Sequence, residues 1–328
     1  MNYEITSRLS GKAYDGWKKL VEASGLVVRE ESMRTLLVYD GDEIVATGSR
    51  EGYVLKYIAV ADSHRGEDLT ATVLTELRRD AFEDGYTHLF LYTKPQNKYT
   101  FESLFFYPVV STESALIMEN KRDGLRELVD NLPKAKRGKV IGAAVMNCNP
   151  FTLGHRALIE RAASECDHVY VFVLSEDKSE FSFADRMNMV KLGTEDILNV
   201  TVLSTGPYLI SSATFPTYFI KDRDKARLAA CEADIKIFGE HFAKALSITR
   251  RYVGTEPNSA LTAAYNAALK VELPKYGVEV VEMERACAAD APISASTVRK
   301  LISDGKWEML SALVPKTTLD YITQNKLI

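Results

Sequence analysis

Apolar residues in the first part of the chain recur at helical spacing in some stretches and in short extended runs in others. Gly11 to Ala23 reads as a helix. Thr35 to Val38 and Ile44 to Thr47 read as strands, and the Tyr39–Glu43 segment between them carries the Asp40-Gly41 pair that suits a hairpin turn. Tyr53 to Val60 is a third strand. After the polar run Ser63 to Asp68, Leu69, Val73, Leu74 and Leu77 fall on one helical face, and His88 to Thr93 is again extended.

From Val140 onward the pattern becomes a regular alternation. Strands are expected at Val140–Met146, Val169–Leu174, Val200–Ser204, Ile235–Phe238, Arg251–Gly254 and Val278–Met283. Helices are expected at Leu153–Ser164, Ala184–Ile197, Leu261–Leu269 and from Ser296 to Ile302. Such alternation predicts a parallel, doubly wound sheet. Between the two patterns lies Leu132-Pro133-Lys134-Ala135-Lys136-Arg137-Gly138-Lys139, a polar and basic stretch that reads as a solvated linker. The expectation is an α/β protein of two domains, an α+β domain over 1–132 and a Rossmann-like parallel-sheet domain over 138–328.

Length agrees, since 328 residues exceed one ordinary core. Hydrophobic residues at 46% and charged residues at 26% are ordinary for a soluble globular protein. A net charge of −4 lacks the basic surplus of a nucleic-acid binder. The N-terminus has no apolar core of signal-peptide length, and runs such as Val169–Leu174 are far too short to span a bilayer. Cys148, Cys166, Cys231 and Cys287 are scattered and form no Cys-x-x-Cys pair, which suits a reducing cytoplasm. The chain is therefore expected to be cytoplasmic, with neither nucleic acid nor membrane as a partner. His64, His88, His168 and His241 show no metal-ligand spacing.

Candidate chemistry sits where the first strand of the second domain ends. Met146 runs into Asn147-Cys148-Asn149-Pro150-Phe151-Thr152-Leu153-Gly154-His155. Ligands of α/β sheets bind at the carboxyl ends of strands. Thr152 and His155 share a face in a helical first turn, where free amides and the helix dipole attract phosphate. Gly154 lets a ligand approach the backbone. A histidine here can hydrogen-bond phosphate oxygens as charge develops. The plain alternative makes Thr152 a helix cap and His155 a surface residue. A second motif, Ile293-Ser294-Ala295-Ser296-Thr297-Val298-Arg299, places a cap at Ser294, hydroxyls at Ser296 and Thr297, and a guanidinium at Arg299 around another helix start. Two such motifs about 140 residues apart are more specific than either alone.

Thr152-x-Gly154-His155 resembles the Thr/His-x-Gly-His signature of the nucleotidyltransferase superfamily, and the second motif resembles its Ile-Ser-x-Ser/Thr-x-x-Arg element. The resemblance adds Lys178 and Arg186 as substrate or phosphate contacts, and places Gly254 and Glu256, with Tyr265 and Asn266, near the adenine. The superfamily's usual Gly-x-Phe-Asp-Pro is replaced here by Met146, Asn147, Cys148, Asn149 and Pro150. The resulting string is similar to that of the [citrate (pro-3S)-lyase] ligase family, as are Ser175 to Arg186, Ser211 to Phe219 and Gly254 to Pro257. That family implies ATP with Mg²⁺, acetate, and the acyl-carrier subunit of citrate lyase with its dephospho-coenzyme-A-like thiol arm. Acetate is activated as acetyl-adenylate and passed to the thiol. In this reading Thr152, His155, Lys178 and Arg299 act at the triphosphate, while Asn147, Asn149, Gly154, Arg186, Gly254, Glu256, Ser294, Ser296 and Thr297 complete the nucleotide site.

The first domain resembles GNAT acetyltransferases in its order of hairpin, strand, helix and strand. Of that family's Gln/Arg-x-x-Gly-x-Gly/Ala turn, the stretch from Ser63 keeps only Gly66 and ends in Asp68, a carboxylate that repels pyrophosphate. Two other readings stand beside the ligase: an adenylyltransferase making a nucleotide cofactor, and a GNAT-type acetyltransferase. Cys148 beside the site invites an acyl-enzyme reading, but a free cysteine is more often a small buried hydrophobe.

Overall fold

The computed structural model describes residues 1–29, 33–136, 138–175, 179–209, 215–255, 260–288 and 291–327. They form two compact units, Met1–Gly124 with Ser212–Ala233, and Leu125–Ser211 with Asp234–Ile328. The expected cut at 132–138 separates two continuous stretches, whereas these units are discontinuous in sequence.

The first unit holds β1 (Asn2–Thr6), α1 (Gly11–Ala23), β2 (Arg34–Asp40), β3 (Glu43–Glu51), β4 (Val54–Val60), α2 (Leu69–Glu83), β5 (Phe90–Thr93), α3 (Lys98–Glu102), β6 (Tyr107–Ser111) and β7 (Leu116–Glu119). Its sheet runs β1-β2-β3-β4-β5-β7-β6. Every neighbouring pair is antiparallel except β4–β5. This is the order of hairpin, strand, helix and strand expected of a GNAT-like unit. The β4–β5 pairing covers only Val54–Leu55 against Phe90–Leu91, so the two strands part beyond it. Tyr218, from the returning segment, lies there: its hydroxyl donates to the Tyr92 carbonyl at 2.6 Å, its carbonyl accepts from the Val27 N–H at 2.7 Å, and its ring lies 4.7 Å from that of Tyr57. Tyr57, Tyr92 and Tyr218 are all buried.

The second unit follows α4 (Gly124–Asp130) with β8 (Ile141–Met146), α5 (Leu153–Glu165), β9 (His168–Val173), α6 (Phe183–Leu192) and β10 (Val200–Ser204). The helix α7 (Arg223–Ile237) begins within the first unit's returning segment and ends in the second unit. A π-helical turn (Phe238–Ala243), the short α8 (Lys244–Leu246), β11 (Arg250–Gly254), α9 (Ala260–Glu272), β12 (Glu279–Met283), α10 (Ala295–Ser303) and α11 (Lys316–Gln324) follow. Its main sheet has five described strands, all parallel, in the order β10-β9-β8-β11-β12. Ile141, Ala143 and Ala144 of β8 and the valines and aromatics of β9 are buried, as in a sheet covered on both faces. The chain moves outward from β8 to β10, then returns to the other side of β8 at β11. The β8/β11 junction is thus the topological switch point, where crevices open at the strands' carboxyl ends.

One expected strand is not one. Ile235 to Phe238 continues α7 into the π-helical turn. Isolated, that run looks extended, but buried Ala226, Ala229, Ala230 and Ala233 carry a helical register straight into it. The α6 helix is shorter than expected, ending at Leu192 with Gly193 as its cap rather than reaching Ile197.

Candidate active site

The turn after β8 is shaped by its own polar groups. Thr152 caps α5: its Oγ1 accepts the His155 N–H at 3.3 Å, and the Thr152 N–H donates to His155 Nδ1 at 3.1 Å. This is a capping box with histidine where Glu or Gln is usual. Because Nδ1 accepts, the proton of the neutral imidazole is assigned to Nε2. Burial, and after it the charge of Arg285, push the His155 pKa down to about 4. His155 is therefore a neutral N–H donor at physiological pH.

The unfolded chain protonates this imidazole below its ordinary value of 6.5, while the fold resists until about 4. Its contribution to stability is present above pH 6.5 and is lost as pH falls from there towards 4. Urea midpoints of the wild type are expected to drop more steeply across this window than those of His155→Asn.

A second helix start faces the same space. Ser294 caps α10 by accepting the Thr297 N–H at 3.4 Å, and its Oγ lies 2.5 Å from Ser296 Oγ. Thr152, Gly154 and His155 of the first motif and Ser294 and Ser296 of the second line one crevice of about 620 Å³. Ligand sites commonly span about 300–1,000 Å³. Its described lining includes Arg251 and Arg285 and no carboxylate. Two helix N-termini and two guanidinium groups make a space suited to a polyanion.

Other expected residues are placed differently. Asn147 lines the crevice, and so does Gly254, whose carbonyl accepts the Asn266 side-chain amide at 2.9 Å. Asn149 is buried and internal: its Oδ1 accepts the Phe181 N–H at 3.1 Å and its carbonyl accepts from Arg299 at 2.5 Å. Arg299 also pairs with Glu180 at 3.1 Å. Thr297 is exposed and is not among the lining residues. Lys178 and Glu256 lie outside the described residues.

Arg186 requires a correction. It is 0% exposed, and its guanidinium donates to the carbonyls of Phe181 (3.2 Å), Asn147 (3.0 Å) and Leu174 (2.8 Å) and to Asn147 Oδ1 (2.7 Å). It does not line the crevice. It braces the turn after β8, in which Cys148 holds a left-handed backbone (φ 52°) that costs a non-glycine residue about 1 kcal/mol. Cys148 itself is buried, and burial pushes its thiol far above the ordinary range. It stays protonated and is no nucleophile.

No sequence motif marked Arg285. It lies just past β12, and its Nε donates to the Thr255 carbonyl at 2.8 Å. Its only signal was its position at the carboxyl end of a strand beside β11.

A cationic crevice at the switch point of a parallel sheet is the build of a nucleotide-binding α/β protein. The family model described as "Citrate lyase ligase C-terminal domain" matches residues 141–322. A [citrate [pro-3S]-lyase] ligase of Klebsiella pneumoniae is 43% identical over 287 residues, covering 86% of this chain and 84% of that protein. Proteins of the same name from Haemophilus influenzae and Escherichia coli K12 are 40% and 41% identical, each over 86% of this chain and over 87% and 82% of their own lengths. The chain belongs to the [citrate [pro-3S]-lyase] ligase family and is an enzyme. Among solved structures, Escherichia coli ElaA is similar over 37% of this chain and all of its own, at 15% identity and a TM-score of 0.33, which carries no weight for function. No helix among the described residues is long and apolar enough to cross a membrane.

Proposed function

We propose that this chain activates acetate with ATP and passes the acetyl group to a thiol on the acyl-carrier subunit of citrate lyase. The observation that supports it most is the crevice: two capped helix starts, two arginines and no carboxylate in its described lining. In the first step an acetate oxygen bonds to the α-phosphorus of ATP and the bond to the bridging oxygen of pyrophosphate breaks. In the second, the carrier sulfur bonds to the acetyl carbon, AMP leaves, and the thiol proton is released.

In this reading the His155 Nε2–H and the amides at the start of α5 donate to the oxygens around the α-phosphorus. Ser294, Ser296 and the start of α10 hold the outer phosphates. Arg285 offsets their charge, and Arg299 fixes the turn at Asn149. Thr297 supports the cap at Ser294. Lys178 and Glu256 are carried as nucleotide contacts on the family resemblance alone. Most of the catalysis is alignment and charge stabilisation. Mg²⁺, when bound with ATP, would offset charge on the phosphates. The carrier's arm is taken to be dephospho-coenzyme-A-like, and the setting to be the cytoplasm, where ATP and reduced thiols coexist.

The GNAT-type reading is disfavoured. The stretch expected to hold the pyrophosphate keeps only Gly66 and ends in the carboxylate of Asp68, and buried Tyr218 fills the space where β4 and β5 part. The adenylyltransferase reading requires a phosphorylated acceptor in place of a carboxylate, and the family membership favours the carboxylate.

Gly154 offers a clean separation of folding from binding. A Cβ there would meet Ile293 at 3.5 Å and Thr152 Oγ1 at 3.6 Å, which is ordinary contact. Gly154→Ala is expected to melt within a few degrees of the wild type yet raise the KM for ATP about tenfold or more, because the ligand loses its approach to the backbone. Melting curves and ATP titrations check this. The proposed reaction is tested by incubating thiol-form carrier with enzyme, ATP, Mg²⁺ and acetate. An ATP-dependent mass gain of one acetyl group is expected. Acetylation without ATP from acetyl-coenzyme A would contradict it.

A further inference from the structure

The second unit buries two arginines in opposite ways. Arg186 is 0% exposed and meets four protein acceptors. Arg251, on β11, is 2% exposed, yet among the described residues its Nε and Nη1 are buried with no hydrogen-bond acceptor. Its Nη2 makes one long contact of 3.4 Å with the Tyr265 hydroxyl, which itself donates to Asp234. The guanidinium carbon lies 4.2 Å from the centroid of the Phe238 ring. Buried donors without acceptors are costly and uncommon in folded proteins. Arg251 also lines the crevice, as do Val145 and Tyr265.

We propose that Arg251 binds the carboxylate of the acid substrate, a short-chain monocarboxylate, at the base of the crevice. This deepens the acid-activation reading and rests on it. Three observations favour the acid over the nucleotide as the ligand. The triphosphate has two helix starts to occupy, at Thr152–His155 and Ser294–Ser296, and Arg251 belongs to neither. Arg251 lies three residues before Gly254, so it sits below the carboxyl end of β11 where the nucleotide would rest. Its near-complete burial admits only a small charged group, and a carboxylate matches the guanidinium fork. Val145, two residues on from the Ala143 that pairs with Arg251, lies on the same sheet face and supplies apolar surface for a short alkyl tail. Arg251 thereby selects a negative charge, and the closed base limits chain length.

The test is acetate-dependent exchange of labelled pyrophosphate into ATP by the full-length wild type, Arg251→Met and Arg251→Lys. Arg251→Met is expected to raise the acetate KM about 10- to 100-fold, the loss of one charge-assisted pair, with the ATP KM nearly unchanged. Arg251→Lys should recover part of it. An ATP KM that rises while the acetate KM stays overturns the proposal and gives Arg251 to phosphate. Unchanged constants for both also overturn it. Should Arg251→Met fail to fold, melting of the wild type and Arg251→Lys decides, in the presence of an ATP analogue that resists α–β cleavage. Acetate is expected to raise the wild-type midpoint and to raise that of the variant less, and equal shifts overturn the proposal. A wild type with no acetate-dependent exchange sinks the acid-activation reading itself; exchange with unshifted variants sinks only the role of Arg251.

Discussion

His155→Ala is expected to lower kcat for acetate-dependent pyrophosphate release about 100- to 1,000-fold, the usual cost of removing one donor aimed at developing charge. The imidazole is fixed for that task from behind. Its Nδ1 is taken by the Thr152 N–H, which leaves the donor on Nε2, and the ring stays neutral because burial and Arg285 hold its pKa down to about 4. The substitution also removes half of a capping box, worth about 1 kcal/mol. His155→Gln separates the two effects, since glutamine is a usual partner in that box. It should melt near the wild type and still turn over slowly. If His155→Gln and His155→Ala both kept near wild-type turnover, His155 would be a cap and nothing more.

Arg186→Met should act on stability first. It leaves three carbonyls and one side-chain oxygen without their donor. Buried groups left unmatched cost about 1–3 kcal/mol each, so a loss of at least about 3 kcal/mol is expected. In a chain of 328 residues that lowers the melting midpoint by roughly 4 °C or more. Activity falls with it, because the same bonds hold the turn containing Asn147 and Cys148. The phosphate-binding role expected from the sequence makes the opposite forecast: an unchanged midpoint and a raised KM for ATP. Thermal melts beside ATP titrations distinguish the two.

The contrast shows what a sequence carries and what it does not. The parallel sheet was readable from alternation, and both helix starts from residues that cap by local rules: Thr152 with His155, and Ser294 ahead of Thr297. Those contacts span three residues, so their geometry follows from spacing. Arg186 also sits in a helix's first turn, but its acceptors on Leu174 and Asn147 come from elsewhere in the chain, and no local pattern distinguishes a bracing guanidinium from a solvated one. Arg251 and Arg285 reach the crevice by strand order, which sequence does not print. Ile235–Phe238 was misread because a short apolar run fits either period, and the alanines that settle it pack on their small side chains. The return of residues 215–219 to β4 and β5 had no compositional signal, since buried aromatics look alike in either unit.

In this reading the enzyme transfers a nucleotide to a carboxylate. The most direct measurement is exchange of labelled pyrophosphate into ATP, with Mg²⁺ and no carrier, as a function of acetate. Exchange that rises with acetate, saturates, and vanishes in His155→Ala is the expected result. Exchange that ignores acetate but requires a phosphorylated acceptor such as phosphopantetheine would show that the acceptor is a phosphate and not a carboxylate.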